Sequence, residues 1–141
     1  MTRPPVIFSL LVLTAATVPL SAEPVALGQC VNAGMAVSVS GKLTEQIFAG
    51  RPNFESIKDG DEEVHVWILE LDNRQCLIDG EFSDPSVSFD RAHIYSSVQG
   101  LRKILTAAEG RHVQVAGTGF ASHTMHHRAP LVIDVTTLTV K

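Results

Sequence analysis

Two segments of the chain share the pattern V-x-V-x-G, and this repeat constrains the fold more than any other feature of the sequence. The first runs from Val37 to Gly41 and the second from Val113 to Gly117. Alternating apolar and polar residues are typical of half-buried strands. A glycine inside a strand often marks a bulge or bend, which a small barrel requires where a strand turns a corner. The repeat therefore predicts two bent strands of a small β-barrel.

Three further segments are predicted as strands from their apolar and β-branched residues. They are Val64–Leu71, Ala92–Val98 and Leu131–Val140. The first is apolar on both faces, which favours a central position in a sheet. In the last, the alternation slips near Thr136, and a β-bulge would account for this slip. An excursion at Asp79–Asp90 leaves open the register of the strand that follows it.

One short helix is predicted between the third and fourth of these five strands. Apolar residues recur there at the spacing of a single helical face: Leu101, Ile104, Leu105 and Ala108. Ser97 is the expected N-cap, and Gly110 is the expected stop signal. A mainly β chain with this element order predicts an OB-like fold, a five-stranded Greek-key barrel. The alternatives are another small α+β domain, a sandwich or a lipocalin-like fragment.

The N-terminal residues have the features of a secretory signal peptide. Arg3 precedes a short apolar stretch, which Pro19 interrupts before the small residues Ser21 and Ala22. A membrane-spanning helix requires about 20 apolar residues. We therefore expect cleavage after Ala22, no stable membrane anchor after cleavage, and a bacterial protein that is periplasmic or secreted.

The predicted organisation has three parts: a cleaved signal peptide, an irregular lead-in and one OB-like domain, at residues 1–22, 23–34 and 35–141. Both cysteines, Cys30 and Cys76, follow the predicted cleavage site. In an exported protein with two cysteines, the simplest arrangement is a single disulfide. Metal binding or redox chemistry is the alternative, which the absence of a C-x-x-C motif disfavours.

Several weak motifs occur in a consistent order along the chain. They are Val37-x-Val-x-Gly41-x-Leu43, Trp67-x-Leu-Glu-Leu-Asp72, Cys76, Val113-x-Val-x-Gly117, and His126-His127 ahead of Pro130-Leu-Val-Ile-Asp-Val135. Their combination resembles a family of small exported bacterial domains of unknown function. This resemblance implies an OB-like architecture. It implies no activity, because that family has no established chemistry.

Histidines are concentrated in the segment between the last two predicted strands. The segment contains His123, His126 and His127, followed by Arg128. In an OB-fold this loop commonly borders the ligand groove together with the loop after the first strand, here Ala49–Gly60. We therefore take these four residues as candidate ligand-binding residues, together with Trp67, whose ring could stack on a ligand.

The same histidines suggest zinc or copper, and Asp134 could complete such a metal site. If the segment is extended, His126 and His127 point to opposite faces and cannot easily bind one metal. The other interpretation is a polar hairpin whose histidines form hydrogen bonds that brace the turn. We therefore expect no cofactor, with the metal site as an alternative. The acidic run Asp59–Glu63 lacks EF-hand spacing and is interpreted as a solvated loop.

Composition and motifs disfavour several classes of function. The net charge is −4 and aromatic residues make up only 6%, so we expect no nucleic-acid ligand. The sequence has no G-x-S-x-G, Gly-rich phosphate loop or H-E-x-x-H motif, so we do not expect an enzyme. The leading hypothesis is an exported binding module for a protein, a peptide or an envelope glycan. The alternatives are a metal-binding protein and an inhibitor or immunity protein against an envelope-attacking hydrolase.

Overall fold

The structure, a computed structural model, describes residues 30–141. The predicted signal peptide and the first residues of the lead-in, 23–29, lie outside the described part. The elements of the described part are β1 (Val31–Asn32), β2 (Ala36–Ala49), a 3-10 helix (Ile57–Asp59), β3 (Glu63–Gln75), β4 (Leu77–Ile78), β5 (Phe89–Tyr95), α1 (Leu101–Ala107), β6 (His112–Ala121) and β7 (Leu131–Val140). No helix within this range is long and apolar enough to cross a membrane.

Five of the strands close into a barrel in the order β2-β3-β5-β7-β6. Strands β5 and β7 are parallel, and the other neighbouring pairs are antiparallel. The helix α1 connects β5 to β6, so it lies between the third and fourth strands of the barrel. The prediction of a mainly β, OB-like barrel with one short helix is confirmed.

A disulfide between Cys30 and Cys76 lies beside a small second sheet, as the cysteine count predicts. The sheet consists of β1 and β4, which pair in parallel. The backbone N–H of Val31 donates to the carbonyl of Cys76 at 2.8 Å, next to the bridge. The strand β1 falls within the segment expected to be an irregular lead-in. The disulfide therefore joins the start of the described chain to the segment that follows β3.

The two glycines of the V-x-V-x-G repeat lie where two strands approach each other too closely for a side chain. A Cβ at Gly41 would collide with the backbone carbonyl of Glu70, and one at Gly117 with that of Asp134. Around Gly41, β2 changes its neighbour: residues 36–42 pair with β6, and residues 41–49 pair with β3. One bent strand can therefore serve two sides of the barrel, which is the role that the repeat predicts.

We expect Gly117→Ala to lower the free energy of unfolding by about 2 kcal/mol or more, because the added methyl group forces two backbones apart. Gly119→Ala is the matched control in the same strand. Its Cβ would meet only side-chain atoms, those of Leu131 and Val37 at 3.2 Å and Val31 at 3.4 Å, which can shift. Urea denaturation measures both. Equal losses for the two variants would contradict the backbone-collision explanation.

The bulge predicted near Thr136 is present in β7. Ala116 pairs with Thr137 and Gly117 with Val135, so Thr136 is the extra residue of this strand. Its hydroxyl donates to the carbonyl of Ala116 at 3.2 Å. The bulge coincides with the bend at Gly117, and the strand curves there as barrel closure requires.

The start and the buried face of α1 differ from the prediction. The N-cap is Gly100 rather than Ser97. Ser97 instead donates its backbone N–H and its hydroxyl to the carboxylate of Asp134, at 2.9 and 2.7 Å. Ile104, which was expected to face the core, is 48% exposed, whereas Leu101 and Leu105 are buried. Ala108, directly after the helix, is also buried, so Ile104 is the one member of the predicted apolar face that points to solvent.

The strand β3 contributes to two apolar clusters, one on each face, as its sequence predicts. Leu69 is fully buried inside the barrel, and Trp67 packs against the same interior. On the other face, Val66 and Ile68 pack with Ala129 of the β6–β7 loop in a separate small cluster. That loop therefore covers part of the barrel's outer surface, and this packing positions the candidate site.

The structure gives the register of β5, the strand that follows the Asp79–Asp90 excursion. Gln75 of β3 pairs with Phe89, after a register shift that follows Glu70. Arg74 holds the end of the intervening loop, because its guanidinium donates to the side chain and the carbonyl of Ser88 at 2.9 and 2.7 Å. The strand after the excursion therefore begins at Phe89, three residues earlier than the sequence pattern indicates.

Candidate binding surface

The β6–β7 loop, residues 122–130, folds against the outside of the barrel. The N–H of Ser122 donates to the carbonyl of Pro130 at 3.0 Å and closes the base of the loop. Within the loop, the N–H of His127 donates to the carbonyl of Thr124 at 3.1 Å and forms a turn. The N–H of Arg128 donates to Nδ1 of His93 on β5 at 3.3 Å. These bonds place the histidines of the loop beside the rings of β5.

Six rings from four segments form one continuous group, which we call the ring cluster. Its members are Phe82, His93, Tyr95, Phe120, His123 and His127. Phe120 is central, with ring centroids 5.5 Å from His127, 5.8 Å from His123 and 6.2 Å from Tyr95. All seven contacts are edge-on or tilted rather than face-to-face, in line with the preference of aromatic quadrupoles. The barrel thus carries a band of aromatic and imidazole rings on its outer surface.

Two histidines of the ring cluster are held in their neutral form. Nδ1 of His127 accepts a hydrogen bond from the backbone N–H of His123 at 3.1 Å, and Nδ1 of His93 accepts one from the backbone N–H of Arg128. A nitrogen that accepts carries no proton. Burial first, and then the charges of His127 and Arg128, lower the pKa of His93 to about 4. Burial and the neighbouring His123 and His126 also lower the pKa of His127.

Arg128 joins the β6–β7 loop to the end of β2. Its Nη2 donates to the carbonyl of Ala49 at 2.6 Å. Its guanidinium carbon lies 5.2 Å from the ring centroid of Phe48 and 5.6 Å from that of Phe54, within the range of cation–π contacts. Its Nε is buried without a hydrogen-bond partner in the described part of the chain. The two loops that the sequence analysis singled out therefore lie side by side, and Arg128 is the bridge between them.

His126 lies apart from the other two histidines of the loop. Its ring packs edge-on against Phe54 of the β2–β3 loop, with centroids 5.3 Å apart. The rings of His123 and His127 instead lie 4.7 Å apart beside Phe120. His126 is thus a second contact between the two loops.

A buried carboxylate, which the sequence pattern does not indicate, organises the β2–β3 loop. Asp61 is only 6% exposed, and it accepts the backbone N–H groups of Asn53, Glu55 and Ser56 at 2.8 to 2.9 Å. The bonds from Ser56 and Asn53 lower the pKa of Asp61 most. The interpretation of this acidic run as solvated is therefore wrong for Asp61. Nothing in the local pattern distinguishes it from its acidic neighbours, because the three donors come from earlier in the loop.

Trp67 and Asp134 lie in different surroundings from the histidines of the loop. Trp67 is half-buried and lines an open groove of about 440 Å³ that Tyr95 and His126 also line. The carboxylate of Asp134 is engaged with Ser97. Among residues 30–141, no group of three or more His, Cys, Asp or Glu side chains is arranged to hold a metal ion. The structure thus brings together His123 and His127, but not the four residues of the hypothetical metal site.

Comparison with known families matches the C-terminal part of the barrel. A family model described as "Domain of unknown function (DUF4431)" matches residues 91–139. The match runs from β5 to β7, so it contains five of the six residues of the ring cluster and leaves Phe82 outside. It confirms the resemblance to a family of unknown function. A comparison with curated proteins finds no match.

Proposed function

We propose that this protein is an exported binding module whose ligand lies on the ring cluster and the adjoining β2–β3 loop. The observation that carries the proposal is the ring cluster, which remains partly open to solvent. Phe82 is 51% exposed and Tyr95 38%, and Met125 at the tip of the β6–β7 loop is 60% exposed. Exposed aromatic and methionine side chains gathered on one surface favour recognition of a ligand.

The electrostatics of the surface favour a protein, a peptide or an envelope glycan over a nucleic acid. His93 and His127 are neutral at neutral pH, because burial lowers both pKa values. The guanidinium of Arg128 is engaged with Ala49 and two phenylalanine rings. Binding to a phosphate backbone requires an excess of free cations. The described β2–β3 loop carries two cations, Arg51 and Lys58, but four acidic residues, so this surface has no such excess.

Export is supported by two independent features. The N-terminal sequence resembles a secretory signal peptide. The Cys30–Cys76 disulfide is typical of proteins that fold in an oxidising compartment.

The double variant Phe82→Ala/Met125→Ala tests the proposal without disturbing the hydrogen bonds of the loop. Histidine variants are less suitable, because His123 and His127 hold the loop in place. Affinity capture from an envelope extract, followed by titration of the captured protein or glycan, should show a loss of about tenfold or more in affinity. Val140→Ala, which removes a 40% exposed side chain at the far end of β7, is the matched control. Equal binding by both variants would contradict the proposal.

A further inference from the structure

The strand β3 extends beyond its neighbour β5 at one end of the barrel. It pairs with β2 from Glu63 to Leu71, but its pairing with β5 begins only at Trp67, opposite Ile94. Residues 63–66, which we call the β3 overhang, therefore have a paired strand on one side only within the described chain. Backbone N–H and C=O groups on such an edge can bond only to water or to an added strand.

The edge stays open because the chain turns away from β3 immediately after β5. The hydroxyl of Ser96 donates to the carbonyl of Val135 on β7 at 2.6 Å. Ser97 binds the carboxylate of Asp134, also on β7, through its N–H and its hydroxyl. Both anchors draw the chain towards β7, and α1 then begins at Leu101. A slot therefore remains in line with β5, between the β3 overhang and the helix.

The slot corresponds to the groove of about 440 Å³ that contains Trp67. Its lining includes Val64 and Val66 of the overhang, Tyr95 of β5, and Arg102 and Leu105 of α1. The groove thus combines an unpaired strand edge with apolar side chains for alternate residues of a bound chain. Peptide recognition by strand addition uses these two features together.

The charges of the groove indicate the chemistry of the bound chain. Arg102 is exposed on α1 and forms no ion pair with any residue in the range 30–141. The groove is also lined by His65 and Glu45, but these two residues already contact each other, with Nδ1 of His65 3.5 Å from Oε1 of Glu45. The unpaired cation of the groove is therefore best matched by a carboxylate of the ligand.

We propose that the β3 overhang binds an extended peptide, which adds as an antiparallel strand in line with β5. An apolar side chain of the peptide packs beside Trp67 and Leu105, and an acidic side chain pairs with Arg102. A glycan lacks the regularly spaced donors and acceptors of a peptide backbone, so the strand edge selects a peptide. The groove shares His93 and Tyr95 with the ring cluster, but the site goes beyond the proposed function because it adds an unpaired strand edge and the cation Arg102. Phe82 and Met125 do not line the groove.

The test uses random linear peptides displayed on phage and selected against the purified protein. We expect the selected peptides to share alternating apolar residues and one acidic residue. When a selected peptide is titrated into isotope-labelled protein, the largest amide shifts should occur at residues 63–67, with cross-strand nuclear Overhauser effects to the overhang. Failure to select any peptide, or amide shifts confined to other surfaces, would overturn the proposal.

Arg102→Glu should weaken the binding of a selected peptide by about tenfold or more. Lys103→Glu makes the same charge change one residue further along α1, outside the groove lining, and should leave the affinity unchanged. The double variant Phe82→Ala/Met125→Ala separates this proposal from the function assigned to the ring cluster. If it abolishes peptide binding while Arg102→Glu has no effect, the peptide binds the ring cluster and the groove proposal fails.

Discussion

Replacing Cys30 and Cys76 together with alanine is expected to lower the free energy of unfolding by about 4 kcal/mol. The bridge closes a loop with a sequence separation of 46 residues, and the value follows from the chain entropy that such a closure removes from the unfolded state. This is a large fraction of the total stability of a small domain. The native contacts most affected are those of β1 and β4, which form a sheet of only two short strands. Chemical denaturation of both proteins under oxidising conditions measures the difference.

A reducing agent provides the matched control for this variant. Wild-type protein in excess dithiothreitol should unfold at nearly the denaturant concentration of the double variant, and dithiothreitol should not affect the variant. A loss well below 1 kcal/mol would contradict the prediction. It would mean that contacts between the two short strands persist in the unfolded state and restrain the chain even without the bridge.

The free energy of unfolding is expected to fall by about 2 kcal/mol as the pH decreases from about 6.5 to about 4. Solvent screens the partly exposed ring of His93, so this figure is smaller than the full effect of its lowered pKa. Burial first, and then the charges of His127 and Arg128, lower the pKa of His93 from 6.5 to about 4. Within this window the unfolded chain binds a proton at His93 and the folded protein does not, so acid favours unfolding. The contribution is complete above pH 6.5 and is lost progressively towards pH 4. His127, whose pKa is also lowered by burial, acts in the same direction.

His93→Asn isolates the contribution of this residue. The asparagine oxygen can still accept the N–H of Arg128, but it does not titrate. We expect the variant to show a shallower loss of stability between pH 6.5 and 4, when urea unfolding is measured at several pH values. Asp61 and Asp84, whose pKa values hydrogen bonds lower from 3.8, act only below this window. Parallel curves for wild type and variant would show that His93 does not carry the effect.

Local pattern was enough to predict the barrel and its bends. A glycine inside a strand often marks a bend. Gly41 and Gly117 both lie where two backbones approach too closely for a side chain. The slip in alternation near Thr136 likewise indicated the bulge that β7 contains. These features were predictable because each depends on the conformation of a few consecutive residues.

The candidate site was predictable only in part. The concentration of histidines identified the β6–β7 loop, and the OB-like order identified the loop beside it. The sequence did not indicate His93, which contacts the β6–β7 loop across 35 residues, or Phe82, whose ring packs on His123. It also did not indicate that Asp61 would be buried. Each of these residues acquires its role from partners that only the folded chain brings near.

The sequence by itself determined the class of fold, the single disulfide and the low positive charge that disfavours nucleic acid. It could do so because the fold class follows from the periodicity of short segments, whereas the disulfide and the charge follow from counting residues. None of the three depends on which distant residues meet in the folded chain. The tertiary structure alone decided that His123 and His127 join a ring cluster while His126 turns to Phe54. It also decided that, within residues 30–141, the β3 overhang pairs with a strand on one side only. Both outcomes depend on how the barrel closes, which places residues distant in sequence on the same surface.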